Sequence, residues 1–245
     1  MIRVLANWQE VGEAVLTLQR GGLPLHETPQ KNFDHFTLRK ALVGVSEDAT
    51  IVDLGCGGAY TLRFLHALQF RNISGIDLAI ERRARATQIK LMLRERTWRT
   101  PFHLRRGNLT STALPSGSCD VAISISTIEH GIDIERFLAE AARILRTSGL
   151  LFITTDYWED KVDTDGVRAF GLPWQIFSRN QIVALMKSAS QFGLKPVENG
   201  EVPACTETTV FWQNRDYTFI AMLLKKCESK INGSAGNQPD VRGVQ

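Results

Sequence analysis

The sequence predicts an α/β fold, a three-layer sandwich in which a mainly parallel sheet of seven strands lies between two layers of helices. Three observations predict it. From about residue 50 onward, short apolar runs alternate with segments of helical periodicity, which is typical of βαβ units. Most of these runs are continuously apolar, as in strands covered on both faces. A glycine-rich stretch, "DLGCGGAY", follows the first run and leads directly into an amphipathic segment.

The elements of this fold follow one another along the chain. The predicted strands lie at residues 50–54, 72–76, 102–105, 121–125, 150–154, 195–197 and 217–224. The predicted helices lie at residues 60–68, 80–96, 134–146 and 178–192. Two insertions, at residues 157–174 and 198–216, interrupt the alternation, and long insertions in compact domains often carry function.

The first 47 residues are expected to form a helical cap, distinct from a main domain at residues 48–227. Apolar residues recur at helical spacing from Val4 to Leu18, and two glycines follow. A second helix is predicted at residues 34–43, with Asp34 as its N-cap. The polar segment at residues 228–245 is predicted to be a disordered tail.

Composition excludes several classes of protein. Of the 245 residues, 43% are hydrophobic, which is enough for one large domain with a core. The net charge of +3 is too small to indicate a nucleic-acid or membrane partner by itself. No segment has the about 18 apolar residues of a membrane span, and four scattered cysteines without a CxxC pair predict free thiols. We therefore expect a cytoplasmic protein.

The glycine stretch predicts a ligand platform. A strand-to-helix turn with Gly55 and Gly57 brings backbone N–H groups and a helix N-terminus to one point, which suits a carboxylate or phosphate. Tyr60 stands where a dinucleotide fingerprint needs its third glycine, and the Gly-Lys-Ser/Thr of a P-loop is absent. Asp77, at the end of the next predicted strand, is placed to accept hydrogen bonds from a ribose. The pattern favours a ligand with a ribose; a tight structural turn is the alternative.

Five stretches in order resemble the motifs of the class I S-adenosylmethionine-dependent methyltransferases. They are "VDLGCGGAYTLRFL", "ISGIDLA", "RRGNLTSTALPSGSCDVAISISTIEHG", "FLAEAARILRTSGLLFITT" and "FIAMLLKK". The resemblance covers about residues 48–225. It implies a Rossmann-like sheet of seven strands with the last one antiparallel, S-adenosylmethionine as cofactor, S-adenosylhomocysteine as product, and methyl transfer as the activity.

The resemblance also implies which residues bind the cofactor. The methionine end would meet Asp53, Gly55, Cys56 and Gly57. The adenosine would meet Asp77, Leu78, Asn108 and Leu109. The sulfonium would lie over Ser124, Ile125 and Ser126. The family more often has aspartate where this chain has Asn108, and a local turn role is the alternative for that residue.

Residues after the fourth and fifth strands are candidates for the chemistry. His130 is a candidate general base, since its ordinary pKa lies near physiological pH, and Tyr157 is a second catalytic candidate. Asp156, Trp158 and Trp174 are expected to contact the acceptor, because aromatic walls with polar groups suit sugars and rings. For each aromatic residue, core packing is the alternative. Phe33 and His35, in the N-terminal cap, are weaker candidates for the mouth of the site.

A metal is not predicted. Some relatives carry a Glu-x-x-Glu-His pattern that binds one, and Glu129 and His130 match its last two positions. Ser126 stands at the first position. Two neighbouring ligands without a third make a poor divalent site.

The sequence therefore predicts an enzyme that methylates a small or medium-sized acceptor, with an oxygen nucleophile on a sugar or secondary metabolite favoured. An RNA methyltransferase is the rival enzyme, because residues 81–106 hold nine Lys or Arg and two Glu. Nucleic acid is the less favoured partner, since no RNA-binding module accompanies this segment. A non-catalytic, cofactor-binding partner subunit and a nicotinamide oxidoreductase are two further candidates.

Overall fold

The structure is a computed structural model that describes residues 1–198 and 200–228. In chain order the strands are β1 (Ile2–Val4), β2 (Thr50–Leu54), β3 (Asn72–Asp77), β4 (His103–Arg106), β5 (Cys119–Ile125), β6 (Leu145–Trp158), β7 (Arg168–Ala169), β8 (Leu172–Pro173), β9 (Phe177–Ser178), β10 (Leu194–Pro196), β11 (Val210–Trp212) and β12 (Arg215–Lys226). The α-helices are α1 (Trp8–Arg20), α2 (Asn32–Ala41), α3 (Tyr60–Ala67), α4 (Arg82–Arg94), α5 (Ile134–Ile144) and α6 (Arg179–Gln191). A 3₁₀ turn lies at Pro29–Lys31.

Parallel pairing forms the centre of one large sheet. Its main strands lie in the order β1-β12-β6-β5-β2-β3-β4. Strands β4, β3, β2, β5 and β6 are parallel, whereas β12 is antiparallel to β6 over eight paired residues, from Thr218 opposite Tyr157 to Lys225 opposite Leu150. The predicted fold class, a mainly parallel sheet with an antiparallel late strand between helices, is confirmed.

Alternate residues of the central strands face opposite helical layers. Ile51, Ile123 and Phe152 belong to the core shared with α1, α2 and α3. Their neighbours Val52 and Ala122 belong to the core shared with α5 and α6. This period of two explains the continuous apolar runs in the sequence, because both faces of each strand are buried.

The N-terminal segment differs from the predicted helical cap. Val4, expected to begin a helix, belongs to β1, which pairs antiparallel with β12 and places Val4 opposite Ile220. Apolar periodicity alone cannot separate a short edge strand from the start of the following helix. The segment therefore adds a strand to the main sheet as well as two helices beside it.

The two N-terminal helices also begin elsewhere than predicted. Helix α1 begins at Trp8, because the Asn7 side chain accepts the Glu10 N–H at 3.0 Å and caps the helix there. Asp34, expected to be the N-cap of the second helix, lies inside α2 with its carboxyl group buried. Its side chain is therefore free for a role other than capping.

Three short strands cover the outer edge of β12. Strand β11 pairs with residues 215–217, β1 with residues 220–222, and β10 with residues 224–226. The opposite edge of β12 pairs with β6. An edge that would otherwise present unpaired backbone groups is thus covered by segments from three parts of the chain.

The two insertions are partly ordered by short strands. The first holds the β7–β8 hairpin and leads to β9, and the second ends in β11, which forms a hairpin with the start of β12. The disordered tail predicted at residues 228–245 lies, apart from its first residue, outside the described residues. In the part of the chain that the structure describes, no helix is long and apolar enough to cross a bilayer. All four cysteines are free thiols.

Candidate active site

A glycine turn links β2 to α3 at the edge of the sheet where the parallel strands end. Gly55 has a φ of +93° and Gly57 a φ of +42°, in the left-handed region that favours glycine. A Cβ atom built on Gly55 would lie 2.4 Å from Thr127 Oγ1. Both the backbone conformation and the neighbouring strand end therefore require glycine at position 55.

Asp77, at the end of β3, holds this turn in place. Its Oδ2 accepts the Gly57 N–H at 2.9 Å, and its Oδ1 accepts the Ala79 N–H at 3.1 Å. Each carboxylate oxygen can still accept from a further donor. Leu78 follows directly and is largely exposed.

The turn after β4 lies next to the end of β3, since Asp77 is opposite Arg106 in the sheet. Asn108 Oδ1 accepts the backbone N–H and the hydroxyl of Thr110, both at 2.9 Å, and Leu109 is buried. Asn108 thus has the local turn role that was the alternative for it. Its amide NH₂ group makes no hydrogen bond to the described residues.

Two buried polar side chains next to the glycine turn have no partner among the described residues. Asp53 is 1% exposed, and neither of its carboxyl oxygens accepts a hydrogen bond. Burial, and then the charge of Asp77, raise the pKa of Asp53 to about 8. Ser124 Oγ, on β5, is also buried without a partner. An orphaned carboxyl group beside a glycine turn suits a ligand that brings a cationic group.

A cleft of about 590 Å³ opens at this edge of the sheet. One side is lined by residues 55–58, including Cys56, and by Ile125 and Ser126. The other side is lined by the segment around α2, the end of β6 and the β11–β12 hairpin. A ligand on the glycine turn and a second molecule would therefore meet in one cavity.

Lys31 lies where the two sides of the cleft meet. Its ammonium group donates a hydrogen bond to Ser126 Oγ and lies 3.8 Å from Asp156 Oδ1 and 4.0 Å from Asp34 Oδ2. It also lies 3.8 Å from the centre of the Phe219 ring, within range of a cation–π interaction. One cation thus connects the glycine-turn side of the cleft with the acidic groups opposite.

Three carboxyl groups near Lys31 are buried: those of Asp34, Glu129 and Asp156. Burial raises the pKa of each, to about 6 for Asp34, and the positive charge of Lys31 opposes this rise. Thr155 donates a hydrogen bond to Glu129 Oε2 at 3.0 Å. Asp156 Oδ1 and both oxygens of Asp34 accept no hydrogen bond within the described chain. With a pKa of about 6, Asp34 can exchange protons near neutral pH, and the pKa values of Glu129 and Asp156 are shifted in the same direction.

Aromatic side chains form the wall beside Asp156. The Trp174 indole N–H donates to Asp156 Oδ2 at 2.8 Å. The Trp174 ring meets Trp212 edge-on, with centroids 4.9 Å apart, and Tyr217, with centroids 5.6 Å apart. These rings combine an apolar surface with a fixed carboxyl group, a combination that suits a ring-bearing ligand.

Three histidines line the cleft, namely His26, His35 and His130, and burial lowers the pKa of each. Burial, and then Lys31, lower the pKa of His130 to about 4. Burial lowers the pKa of His35 to about 3, and its ring stacks on Phe64 with centroids 4.4 Å apart. Phe33, the other candidate from the N-terminal segment, is fully buried in the core and does not line the cleft.

The site roles predicted for Tyr157 and Trp158 need correction. Side chains alternate along a strand, so Tyr157 points away from the side of β6 that carries Asp156. Tyr157 is buried in the core shared with α5 and α6, and its hydroxyl donates to Glu159 at 2.9 Å. Trp158 packs at the margin of the cores where β6 pairs with β9. Neither residue lines the cleft, so neither has the predicted contact with the acceptor.

Sequence reasoning missed several side chains of the cleft, namely Lys31, Asp34, Trp212, Tyr217 and Phe219. Asp34 was interpreted as a helix cap, Phe219 was assigned only to the last strand through the motif "FIAMLLKK", and the other three lie outside the motifs. The signal that could have identified them is the second insertion, whose end returns to the sheet as β11 and β12. For the segment before α2, the only indication was that the neighbouring residues Phe33 and His35 were candidates for the mouth of the site.

Replacing Gly55 with alanine is expected to destabilise the protein by roughly 2–5 kcal/mol, the sum of left-handed backbone strain and a clash with Thr127. Gly44→Ala is the matched control, because Gly44 has a φ of +81° with nothing within 4 Å of its Cβ position. Urea unfolding should show a loss of about 1–2 kcal/mol for the control. Equal losses for the two variants would contradict the role given to Thr127.

Comparison with known proteins finds similarity in the central part of the chain. Residues 52–153 match the family model of the methyltransferase domain. A probable S-adenosylmethionine-dependent methyltransferase of Mycobacterium tuberculosis is 30% identical over 109 residues, which cover 43% of this chain and 35% of that protein. The chain thus matches about a third of the length of this relative. A probable S-adenosylmethionine-dependent methyltransferase of Mycolicibacterium smegmatis is 28% identical over 109 residues, 43% of this chain and 37% of that protein.

Solved structures share the fold. Geranyl diphosphate C-methyltransferase from Streptomyces coelicolor, in complex with Mg²⁺, geranyl diphosphate and S-adenosylhomocysteine, superposes with a TM-score of 0.62 at 15% identity, covering 85% of this chain and 86% of that one. A methyltransferase from Methanosarcina mazei superposes with a TM-score of 0.59 at 14% identity, covering 79% and 98%. At these identities the likeness concerns the fold. With the domain match, it confirms the resemblance predicted from the motifs.

Proposed function

We propose that this chain, which belongs to the class I S-adenosylmethionine-dependent methyltransferase superfamily, methylates an oxygen atom of a small or medium-sized acceptor, a sugar or a secondary metabolite. The observation that carries the proposal is the shared cleft. The glycine turn lies on one side of a single cavity, and the buried carboxyl groups of Asp34 and Asp156 lie on the other. A cofactor on the first side would present its reactive end toward the second.

The residues around the glycine turn fit S-adenosylmethionine. The orphaned carboxyl group of Asp53 suits the ammonium group of its methionine end, and the turn from Gly55 to Gly57 lines the cleft where that end would lie. Asp77 can accept hydrogen bonds from the ribose hydroxyls in addition to the two backbone bonds it already accepts. When bound, the cofactor supplies an electrophilic methyl group on a sulfonium.

The remaining predicted residues surround the adenine and the sulfonium in this proposal. Leu78 and Leu109 would contact the adenine ring, and the Asn108 amide NH₂ group would donate to a ring nitrogen. The end of β5 would lie under the sulfonium through Ser124, Ile125 and Ser126. Lys31 donates to Ser126 from the acceptor side, so one hydrogen bond connects the two sides of the cleft.

The acceptor pocket suits a molecule with hydroxyl groups and an apolar face. Asp156 Oδ1 and the Asp34 oxygens can accept hydrogen bonds from hydroxyls. The edge-to-face cluster of Trp174, Trp212 and Tyr217 offers a surface for a sugar face or an aromatic ring. This combination favours an oxygen acceptor.

We propose that Asp156 takes the proton of the acceptor hydroxyl. A general base works best when its pKa lies near the operating pH, and burial raises the pKa of Asp156 from its ordinary value. The pKa of His130, the base favoured by the sequence, is lowered to about 4, which makes its imidazole a weaker base. His130 then contributes as an acceptor contact on the wall of the cleft.

The proposal is tested by methyl transfer from S-adenosylmethionine labelled in the methyl group. The acceptors are sugars, phenols, amines, carbon nucleophiles and RNA, and the labelled product is analysed by mass spectrometry. We expect label on a hydroxyl oxygen of a sugar or phenol. Transfer only to amines or carbon would contradict the oxygen assignment, and transfer only to RNA would favour an RNA methyltransferase that uses the basic segment.

Asp53→Asn is expected to weaken binding of S-adenosylhomocysteine at least tenfold and yet stabilise the free protein at pH 8. The pKa of Asp53 is raised from 3.8 to about 8, so its favourable contribution to folding is complete below pH 3.8 and is lost as the pH rises toward 8. The amide does not titrate. The melting temperature of the variant minus that of wild type should therefore increase by about 3 °C or more from pH 4 to pH 8.

Calorimetry and thermal unfolding measure the two effects. Asp160→Asn, at an exposed position after β6, is the matched control and should change neither. A difference in melting temperature that stays constant with pH would show that Asp53 is not the titrating group.

A further inference from the structure

Helix α4 and the turn after it present apolar side chains to solvent. Ile89 is 56% exposed, Leu93 is 74% exposed and Trp98 is 96% exposed. Together with Met92 they line one shallow depression, called here the α4 patch. Ala84 is the buried residue of this helix, which has 13 residues. The patch is therefore an outward-facing surface of the helix.

Basic side chains surround the α4 patch. Six of them are exposed and make no ion pair within the described chain: Arg82, Arg85, Lys90, Arg94, Arg96 and Arg99. The two acidic residues of the segment are already paired, Glu81 with Arg83 and Glu95 with His66. The surface thus combines uncompensated positive charge with exposed apolar groups, although the net charge of the whole chain is only +3.

We propose that the α4 patch binds the surface of an anionic lipid bilayer. Exposed apolar residues and Trp with Lys or Arg around them are usual features of a surface that binds the membrane interface, and here α4 and the turn after it supply them together. The Arg and Lys side chains would pair with lipid phosphates, while Leu93 and Trp98 enter the boundary between headgroups and acyl chains. This binding surface is independent of the methyl-transfer proposal.

The chemistry of the patch favours a bilayer over other partners. A second copy of the chain would bring the same basic residues into contact, and their like charges oppose such a dimer. RNA would pair with the charges, but it gains little from exposed Ile89 and Leu93, and Trp98 is the one aromatic residue of the patch available for stacking. A bilayer accommodates protruding apolar side chains without a preformed pocket.

The test is co-sedimentation of the full chain with vesicles. We expect binding to vesicles of phosphatidylglycerol and phosphatidylcholine in equal parts, at least tenfold stronger than binding to pure phosphatidylcholine, and weaker as salt is added. The double variant Leu93→Ser/Trp98→Ser should lose at least tenfold in affinity. The matched control is Trp8→Ser/Leu16→Ser, which removes the same residue types from half-exposed positions on α1. It should bind within twofold of wild type.

Three results would overturn the proposal. They are absence of binding to anionic vesicles by the wild-type chain, equal binding by the Leu93/Trp98 variant, and equal loss in the α1 control. Self-association that the Leu93/Trp98 variant abolishes, or tight binding of single-stranded RNA without vesicle binding, would assign the patch to a different partner. Circular dichroism confirms that each variant is folded before its binding is compared.

Discussion

Replacing Asp156 with asparagine is expected to lower kcat by about 10²–10⁴-fold, the usual contribution of a general base. The asparagine side-chain oxygen can still accept the Trp174 indole N–H, so the wall of the cleft should keep its geometry. Cofactor binding should be unchanged, because Asp156 lies on the acceptor side of the cleft. Steady-state kinetics with the acceptor found by methyl labelling, and calorimetry with S-adenosylhomocysteine, measure the two quantities.

Two further variants make the Asp156 prediction specific. Asp160→Asn changes an exposed carboxyl group four residues away and should leave kcat within twofold. His130→Gln should cost less than tenfold in kcat if His130 is an acceptor contact. A larger loss for His130→Gln than for Asp156→Asn would return the role of general base to the histidine.

Replacing Lys31 with methionine is expected to shift the acidic limb of the profile of kcat/KM against pH upward by about 1–3 units. The ammonium group lies 3.8 Å from Asp156 and 4.0 Å from Asp34, and its charge holds down the pKa of both carboxyl groups. Without it, their pKa values rise, and a larger fraction of the base is protonated at a given pH. Activity should therefore fall at pH 7 and recover in part at alkaline pH.

The recovery at high pH distinguishes an electrostatic role of Lys31 from a purely structural one. Lys161→Met, which removes an exposed lysine after β6, is the matched control and should leave the profile unchanged. A uniform loss of activity at all pH values, with no movement of the acidic limb, would mean that Lys31 acts through the shape of the cleft.

The fold was largely predictable because most of its elements are specified by patterns within short segments of the sequence. Each central strand is a short apolar run, each following helix has its own periodicity, and the glycines at 55 and 57 mark the turn between the first pair. Strand β1 was missed because a strand of three residues that pairs with residues 220–222, far along the chain, carries no periodic signal. Its pairing with Ile220 depends on a contact that no local pattern specifies.

The candidate site was predictable to different degrees on its two sides. The glycine turn and Asp77 belong to one βαβ unit, so the spacing of the two motifs was sufficient to predict that they lie close together. The acceptor side combines Lys31 from before α2, Asp156 from β6 and Trp212 from β11, which meet only through the tertiary fold. The prediction for Tyr157 was wrong because the residue types at a strand end do not determine which of two neighbouring side chains faces the cleft.

The covering of β12 by three short strands also bears on the order in which the chain can fold during synthesis. Strand β1 leaves the ribosome before the other strands of this sheet, but its pairing partners at residues 220–222 are synthesised after all the other main strands. The parallel centre, β2 to β6, can assemble earlier, since it needs only residues up to about 158. The residues of β1 therefore lack their strand partner while most of the domain is synthesised. We expect a ribosome-stalled chain ending at residue 200 to leave them accessible to protease.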